Sequence, residues 1–404
     1  MNNKIKVYKT LNYGSNYNEL ENIDWSRRNN KLEHSKMHSI SSYLAMFSPS
    51  LPNYFIKKYS KENDTVMDNF SGRGTTGLVA RELNRNFIGS DLNPYALVLS
   101  RAKIEKYQIE DLIEKLNNLQ EEYIKQKDFF YKQTSIKKYS ELLYFYKRST
   151  LSQLIFLRDT LGKRWRDNNE YENAILAFSL GLMHGPTKIS GETIYFSVDM
   201  PNAISMAPNY VKNYVKENNL KKPNVNIFEN IKNRSLNKYD EKIISNNFNG
   251  KIFEKDSTIE NEKINDNSIK LVITSPPYLN IINYTKSNWL KLWLLGYDRS
   301  ELKNEIKLAD NLKLDSYKEF IKSYLNSIYK KIKKNGYVCL VVGDVFGKPL
   351  IEDVWKSIKD EVKFKFHEIY IDEGYSQNFK ISNMLNSRKG KATLIEKILV
   401  LKKI

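Results

Sequence analysis

The 404-residue chain is long enough for one large domain or two smaller ones, and its Lys and Arg exceed its Asp and Glu by 18, which suits a polyanionic partner. Its single cysteine excludes a disulfide framework or a cysteine-built metal cluster, and its four histidines, His34, His38, His184 and His367, show no paired zinc spacing, so no metal is expected. The polar start and the lack of an apolar run of about 18 residues predict a soluble, cytoplasmic protein without membrane contact.

Residues 1–34 are polar and without periodicity, and read as an arm. Pro49 and Pro52 open an amphipathic helix that runs to Tyr59, with Phe55 and Ile56 on its inner face. Thr65 to Met67 predicts a buried strand, and Ser71 to Gly77 a tight turn leading into a helix. Gly72 and Gly74 allow backbone angles or close approaches that a side chain would prevent. The first amides of that helix then face the crevice at the strand ends. A nicotinamide or flavin site begins in the same way, so the turn alone does not name a ligand. Asn86 to Asp91 reads as a second strand ending in a carboxylate, placed where an acidic group reaches the ribose of an adenosine-containing cofactor. No Gly-Lys-Ser or Gly-Lys-Thr follows the glycines, which excludes a phosphate-binding loop.

Pro94 starts a helix to Lys103. Composition then changes. Helical spacing of Leu112, Ile113, Leu116, Leu119 and Tyr123 predicts a helix over 109–126, followed by others over 140–161 and 171–183. From His184 to about Gly250 the pattern is irregular, with the basic segments at Lys188 and at Lys221 and Lys222 as candidate DNA contacts. We read 104–249 as an inserted, mainly helical lobe. Strand–helix alternation resumes at Lys251 to Asp256, a strand with a carboxylate near its end, and at Ile269 to Ser275, a buried parallel strand. A helix over 315–334, a strand over 336–344 containing a buried Cys339, a helix near 351–358 and strands over 364–371 and 394–401 complete the pattern. The expected fold is a mostly parallel, Rossmann-like α/β sheet with an antiparallel edge strand; its catalytic part spans 35–103 and 250–404.

The strand at Ile269 ends in Ser275-Pro276-Pro277-Tyr278. Neither proline carries an amide hydrogen, so the chain leaves the sheet as a stiff loop with its carbonyls turned to the crevice. A hydroxyl and an aromatic face complete a polar clamp suited to a planar ring bearing an exocyclic amine.

With the glycine turn, this motif resembles the amino-methylating DNA methyltransferases, which act on cytosine N4 or adenine N6. Phe70, Gly72 and Gly74 match the family's F-x-G-x-G cofactor motif, and Ser275 to Tyr278 the S-P-P-Y form usual in cytosine-N4 enzymes. The resemblance implies S-adenosyl-L-methionine as cofactor, held by Asp68, Phe70, Gly72, Gly74, Thr75, Asp91 at the ribose and Asp256 at the adenine amine. It also implies that the segment from His38 to Pro49 closes over the methionine end. Double-stranded DNA follows as the partner, with base flipping and, by family analogy, a cognate restriction endonuclease. Catalysis falls to Ser275, Pro276, Pro277 and Tyr278; Tyr284 and Trp289 are candidates for the base pocket, as against core packing. Arg73 stands where the family carries a small residue, and is a candidate phosphate contact. Cys339 has no loop suited to a nucleophile, which disfavours carbon-5 methylation of cytosine. Adenine N6, an amine in RNA, and a catalytically idle DNA-binding module remain the alternatives to cytosine N4.

Overall fold

The computed structural model describes residues 5–11, 18–20, 34–277, 283–308, 312–344, 349–372 and 395–404. Among them nine strands form one sheet: β1 (Ile5–Tyr8), β2 (Asn18–Leu20), β3 (Thr65–Asp68), β4 (Asn86–Asp91), β5 (Gly250–Glu254), β6 (Ile269–Thr274), β7 (Ile332–Gly343), β8 (Lys365–Asp372) and β9 (Glu396–Lys402). Their order is β2-β1-β8-β9-β7-β6-β3-β4-β5. The run from β7 to β5 is parallel. β9 lies antiparallel between β7 and β8, and β1 and β2 extend that side. The expected antiparallel edge is therefore four strands wide, and part of the arm belongs to it. Ile5 pairs with Asp372 and Tyr8 with Ile369. A four-residue strand is too short to show a period, but Ile5 is buried and Lys9 pairs with Glu368, which also holds Lys58 at 2.7 Å.

Alternation along the central strands divides two apolar layers. Val66, Leu271, Ile273, Cys339 and Val341 pack toward α1 (Ser50–Tyr59) and α2 (Thr75–Glu82). Met67, Val272, Val338 and Leu340 pack toward the helices Leu314–Tyr329 and Leu350–Ile358. Burying such an aliphatic side chain contributes roughly 1.5–3 kcal/mol. Cys339 is enclosed in the first layer, where burial pushes its thiol pKa well up.

From β3 the chain moves outward through α2 to β4 and through α3 (Pro94–Ile104) toward β5, whereas β6 and β7 lie on the other side of β3. This reversal opens a crevice at the carboxyl ends of the strands. The insertion begins with α4 (Ile109–Lys125), as its periodicity predicts. The expected helix over 140–161 is interrupted: a 3-10 segment covers Lys137–Tyr144, an α-helix covers Arg148–Leu157 and a π turn follows at Arg158–Gly162. The π turn brings Gly162 against the Leu294 carbonyl, where a Cβ would lie 1.9 Å away, and Arg158 donates to the Trp293 carbonyl at 2.8 Å. The stretch read as irregular contains helices at Pro208–Glu217 and Ile227–Lys238. Pro208 at a helix start and Asn226 capping the Phe228 amide are the signals that could have marked them. The helix expected over 315–334 stops at Tyr329 because β7 already begins at Ile332, with Asn335 at φ 58°.

The lobe has no separate core. Leu112, Leu116, Phe156 and Ile175 belong to the same apolar cluster as Tyr95, Leu97 and Val98 of α3. Arg81 of α2, fully buried, donates to the carbonyls of Lys103, Glu105 and Ile244, joining the lobe's entry and exit to the glycine-turn helix.

Candidate functional site

A cavity of about 330 Å³ lies in the crevice, walled by the ends of β3, β4 and β6 and by the turn after β5. It collects residues far apart in the chain: Asp68, Phe70, Gly72 and Thr75 from the glycine turn, Asp91, Asp256, and Ser275 and Pro277 from the proline loop. Tyr43, Met46 and Phe47 close it from the segment before α1, and Tyr284, Leu308 and Phe320 from after the proline loop.

The turn is shaped by charge as well as by glycine. Gly72 sits at φ 49° and donates its amide to Asp91 Oδ2 at 2.8 Å, while Asp91 Oδ1 accepts the Asn93 amide at 2.9 Å. Burial nevertheless raises the Asp91 pKa to about 6, against those donors. Asp68 is held from three sides: Thr76 and Thr274 donate hydroxyls at 2.7 and 2.6 Å, and the Phe70 amide lies at 3.2 Å. Burial raises it also to about 6. Asp256 folds back on its own turn, accepting both the amide and the hydroxyl of Thr258.

Aromatic faces bound the space. Tyr43 stacks on Tyr284 with ring centroids 5.9 Å apart, and its hydroxyl accepts from Asn93 at 3.0 Å. Phe70 meets Phe320 at 5.7 Å and Tyr324 at 5.1 Å, and Tyr324 donates to Asn69. Sequence reasoning missed Tyr43, Asn69 and Phe320. Tyr43 lies within the segment already expected to close over the cavity, but Phe320 is one of several aromatics on an amphipathic helix and carries no distinguishing signal. A Cβ on Gly72 would lie 3.3 Å from Tyr43 Cε1, so the glycine keeps this side of the cavity open. Three carboxylates and flanking rings form a cradle with the acceptors and faces that a nucleoside and its ribose need.

Other expected residues stand elsewhere. Gly74, at φ 75°, lies outside the cavity wall; a Cβ there would lie 2.8 Å from the Ser100 Cα, so its role is to let α3 approach the turn. His38 also lies outside the wall, beside Glu82. Arg73 does line the cavity, but it is largely buried and its guanidinium donates to Thr75 at 3.0 Å and to the His38 carbonyl at 3.0 Å. Trp289 is buried against Phe145, donates to the Met206 carbonyl and does not line the cavity. Lys188 is exposed and pairs with Glu192, and Lys221 is exposed. Lys222 is half-buried and bonds the Leu143 carbonyl. His184 is a satisfied internal histidine, bonded to the Pro201 carbonyl and to Ser205, and burial lowers it to about 3. Pro276 is described but does not line the cavity, and Tyr278 lies outside the described residues.

The wall is tied to the lobe by one ammonium. Lys291, buried, reaches the carbonyls of Ser42 at 3.4 Å and Asn202 at 3.1 Å, and sits over the Tyr95 ring. Burial lowers its pKa to about 7.

Residues 1–102 match the DNA methylase family of N6 and N4 type. The type II methyltransferase M.BsoBI of Geobacillus stearothermophilus is 26% identical over 352 residues, which cover 77% of this chain and 63% of that protein. M.PvuII of Proteus hauseri is 30% identical over 119 residues, covering 28% of this chain and 35% of that protein. M.MjaII of Methanocaldococcus jannaschii is 36% identical over 76 residues, or 19% and 14%. The chain thus spans less than two thirds of these relatives' lengths.

Proposed function

We propose that this chain, a relative of the amino-methylating DNA methyltransferases, methylates the exocyclic N4 amine of cytosine in double-stranded DNA. The observation that carries the reading is the meeting of Ser275 and Pro277 with Gly72, Asp91 and Asp256 around one cavity. Two motifs about 200 residues apart have reason to share a space if one holds a nucleoside cofactor and the other the group that reacts with it. The cofactor is S-adenosylmethionine, and the cradle fits it: the Asp91 carboxylate beside the Gly72 amide suits ribose hydroxyls, and Asp256 suits the adenine amine.

Bound there, S-adenosylmethionine supplies an electrophilic methyl group. The chain's part is orientation. The Ser275 hydroxyl, on the cavity wall, and the Pro276 carbonyl, assigned by its place in the motif, accept the amine's hydrogens and turn its lone pair away from the ring. Tyr278 offers a face on which a base drawn out of the duplex stacks, a role assigned by its place in the motif. Neither a cysteine nucleophile nor a general acid is needed at the base, and the enclosed Cys339 takes no part. The lobe over 104–249, with help from 279–315, contacts the duplex and reads its sequence.

The test is incubation with genomic DNA of varied sequence and labelled S-adenosylmethionine, then digestion and chromatography of the nucleosides. N4-methylcytosine supports the reading. N6-methyladenine would replace it with the adenine enzyme, and 5-methylcytosine would remove the amine mechanism. Label found in RNA alone would move the substrate class. Cofactor binding with no product on any of these would favour an idle DNA-binding module.

A further inference from the structure

Outside the cavity, the end of α2 places Glu82 against two histidines more than 40 residues earlier in the chain. His34 Nδ1 lies 2.9 Å from Glu82 Oε2, and His38 Nε2 lies 3.2 Å from Glu82 Oε1. The two rings meet edge to face with centroids 5.6 Å apart. One ligand atom from each residue falls within 4.8 Å of the others. The spacing of four brings both imidazoles to the same side, because Lys36–Ser39 forms a 3-10 turn between them, capped by Ser35. The Ser35 amide donates to Glu82 Oε1 at 2.8 Å and fixes the carboxylate from the chain side.

The cluster is enclosed and short of partners. His38 is 7% exposed, and neither of its ring nitrogens has a hydrogen-bond partner among the described residues. The Nε2 contact to Glu82 is close enough for attraction but outside hydrogen-bond geometry. His34 Nε2 is likewise buried without a partner there. Buried polar atoms are normally satisfied, so such a group calls for an explanation. Glu82, for its part, is held well down, at about 2, by its contacts with the two imidazoles and Ser35 despite its burial. Burial lowers His38 to about 4.

We propose that His34, His38 and Glu82 form a binding site for one divalent zinc ion. Two imidazole nitrogens and one carboxylate oxygen match the donor preference of zinc, leaving a fourth tetrahedral position to water. Around an ion with bonds of about 2.0–2.1 Å, tetrahedral ligand atoms stand roughly 3.4 Å apart. The 2.9 and 3.2 Å contacts run to different Glu82 oxygens and the three ligand atoms lie within 4.8 Å of one another, so side-chain rotation brings both nitrogens and one oxygen to that spacing. The ion displaces the proton that His34 shares with Glu82 and gives His38 Nε2 a partner.

The role is anchorage. His38 precedes the wall segment that carries Tyr43, Met46 and Phe47, and its carbonyl accepts from Arg73 of the glycine turn. An ion joining Glu82 to His34 and His38 clamps that segment to the far end of α2. This inference is independent of the base that the enzyme methylates, since none of the three residues lines the cavity.

The experiment uses tag-free full-length protein, stripped with a chelator, dialysed and titrated with zinc alone. Elemental analysis should then find about one equivalent. The melting temperature should rise by several degrees and fall again on chelation. Cobalt(II) in place of zinc should give the visible absorption of a tetrahedral site. His34→Gln and Glu82→Gln are distant in sequence, so both failing to fold is not expected; each should lose the bound metal and the thermal response together. Folded wild-type protein that takes up no zinc and shows no thermal shift overturns the proposal. So does undiminished zinc binding in both folded variants, which would place the ion elsewhere.

Discussion

The Gly72 amide and the Asp91 carboxylate are hydrogen-bonded at 2.8 Å across the mouths of β3 and β4. The glycine turn and the acid proposed to hold the ribose are thereby one unit. Changing either residue alters the position of the other.

The two glycines of the turn should separate experimentally. Both have positive φ, at which an L-residue costs roughly 1–2 kcal/mol. Gly72→Val also projects toward Tyr43 in the cavity wall and should weaken S-adenosylmethionine binding by about tenfold or more in calorimetry. Gly74→Ala meets the Ser100 backbone instead, and should lower stability by about 1–3 kcal/mol in denaturant unfolding with the affinity of the folded protein little changed. Unchanged affinity in folded Gly72→Val would remove the glycine from the cofactor site.

Acidity should act on folding and on binding in opposite senses. With Asp68 and Asp91 raised to about 6, each binds its proton more tightly in the fold than in the unfolded chain. Their contribution to stability is complete below the unfolded carboxyl pKa and is lost as pH rises through about 6. Ribose hydroxyls, however, donate to the ionised carboxylate. Cofactor affinity should therefore climb with pH through about 6 and level off above, with proton release on binding near that pH. Calorimetry in buffers of different ionisation enthalpy measures the release. If it persists undiminished in Asp91→Asn, it belongs to Asp68 and the ribose assignment fails.

Ser275→Ala should split binding from turnover. The hydroxyl's proposed work begins only when the amine arrives, so cofactor affinity should hold while the single-turnover rate falls by about a hundredfold. Equal losses in both would make Ser275 a cofactor residue.

Lys221 and Lys222, adjacent in sequence, should behave differently. Lys221→Glu should weaken DNA association and lower its salt slope by about one if the exposed ammonium meets a phosphate. Lys222→Glu removes the bond to the Leu143 carbonyl and should lower the melting temperature as well. Filter binding across a salt series, with and without a thermal melt, distinguishes these. Identical binding and slope in Lys221→Glu would mark that lysine as a solvated face.

Much of the catalytic half was legible because its signals are local. Asn86–Asp91 is bounded by the glycine turn and its helix before and Pro94 after, and β4 covers those residues. The crevice was legible for the same reason, since each motif sits at the end of a strand that the apolar runs define. What escaped depends on partners distant in the chain. Neither His34 nor His38 suggests Glu82, 48 and 44 residues away, and no spacing rule joins Tyr43 to Tyr284. Trp289 and Trp293 share a helix face, but only the position of Phe145, Tyr139 and Arg158 shows that this face is internal. The bond from Arg73 to the His38 carbonyl was not legible either, because it joins positions 35 residues apart.

The continuity of the lobe's core with α3, reinforced by Lys291 between Ser42 and Asn202, bears on how such an enzyme diversifies. A recognition region hung on linkers can be exchanged between relatives as a cassette, giving a new specificity in one recombination. Here the exchanged piece would take with it the packing behind Tyr95 and the tether on the cavity wall. Under the proposed function, a chimera is expected to lose methyl transfer along with that packing. On the proposed reading, a change of target is then expected residue by residue on the exposed face of the lobe, because its other face is packed against α3 and the cavity wall.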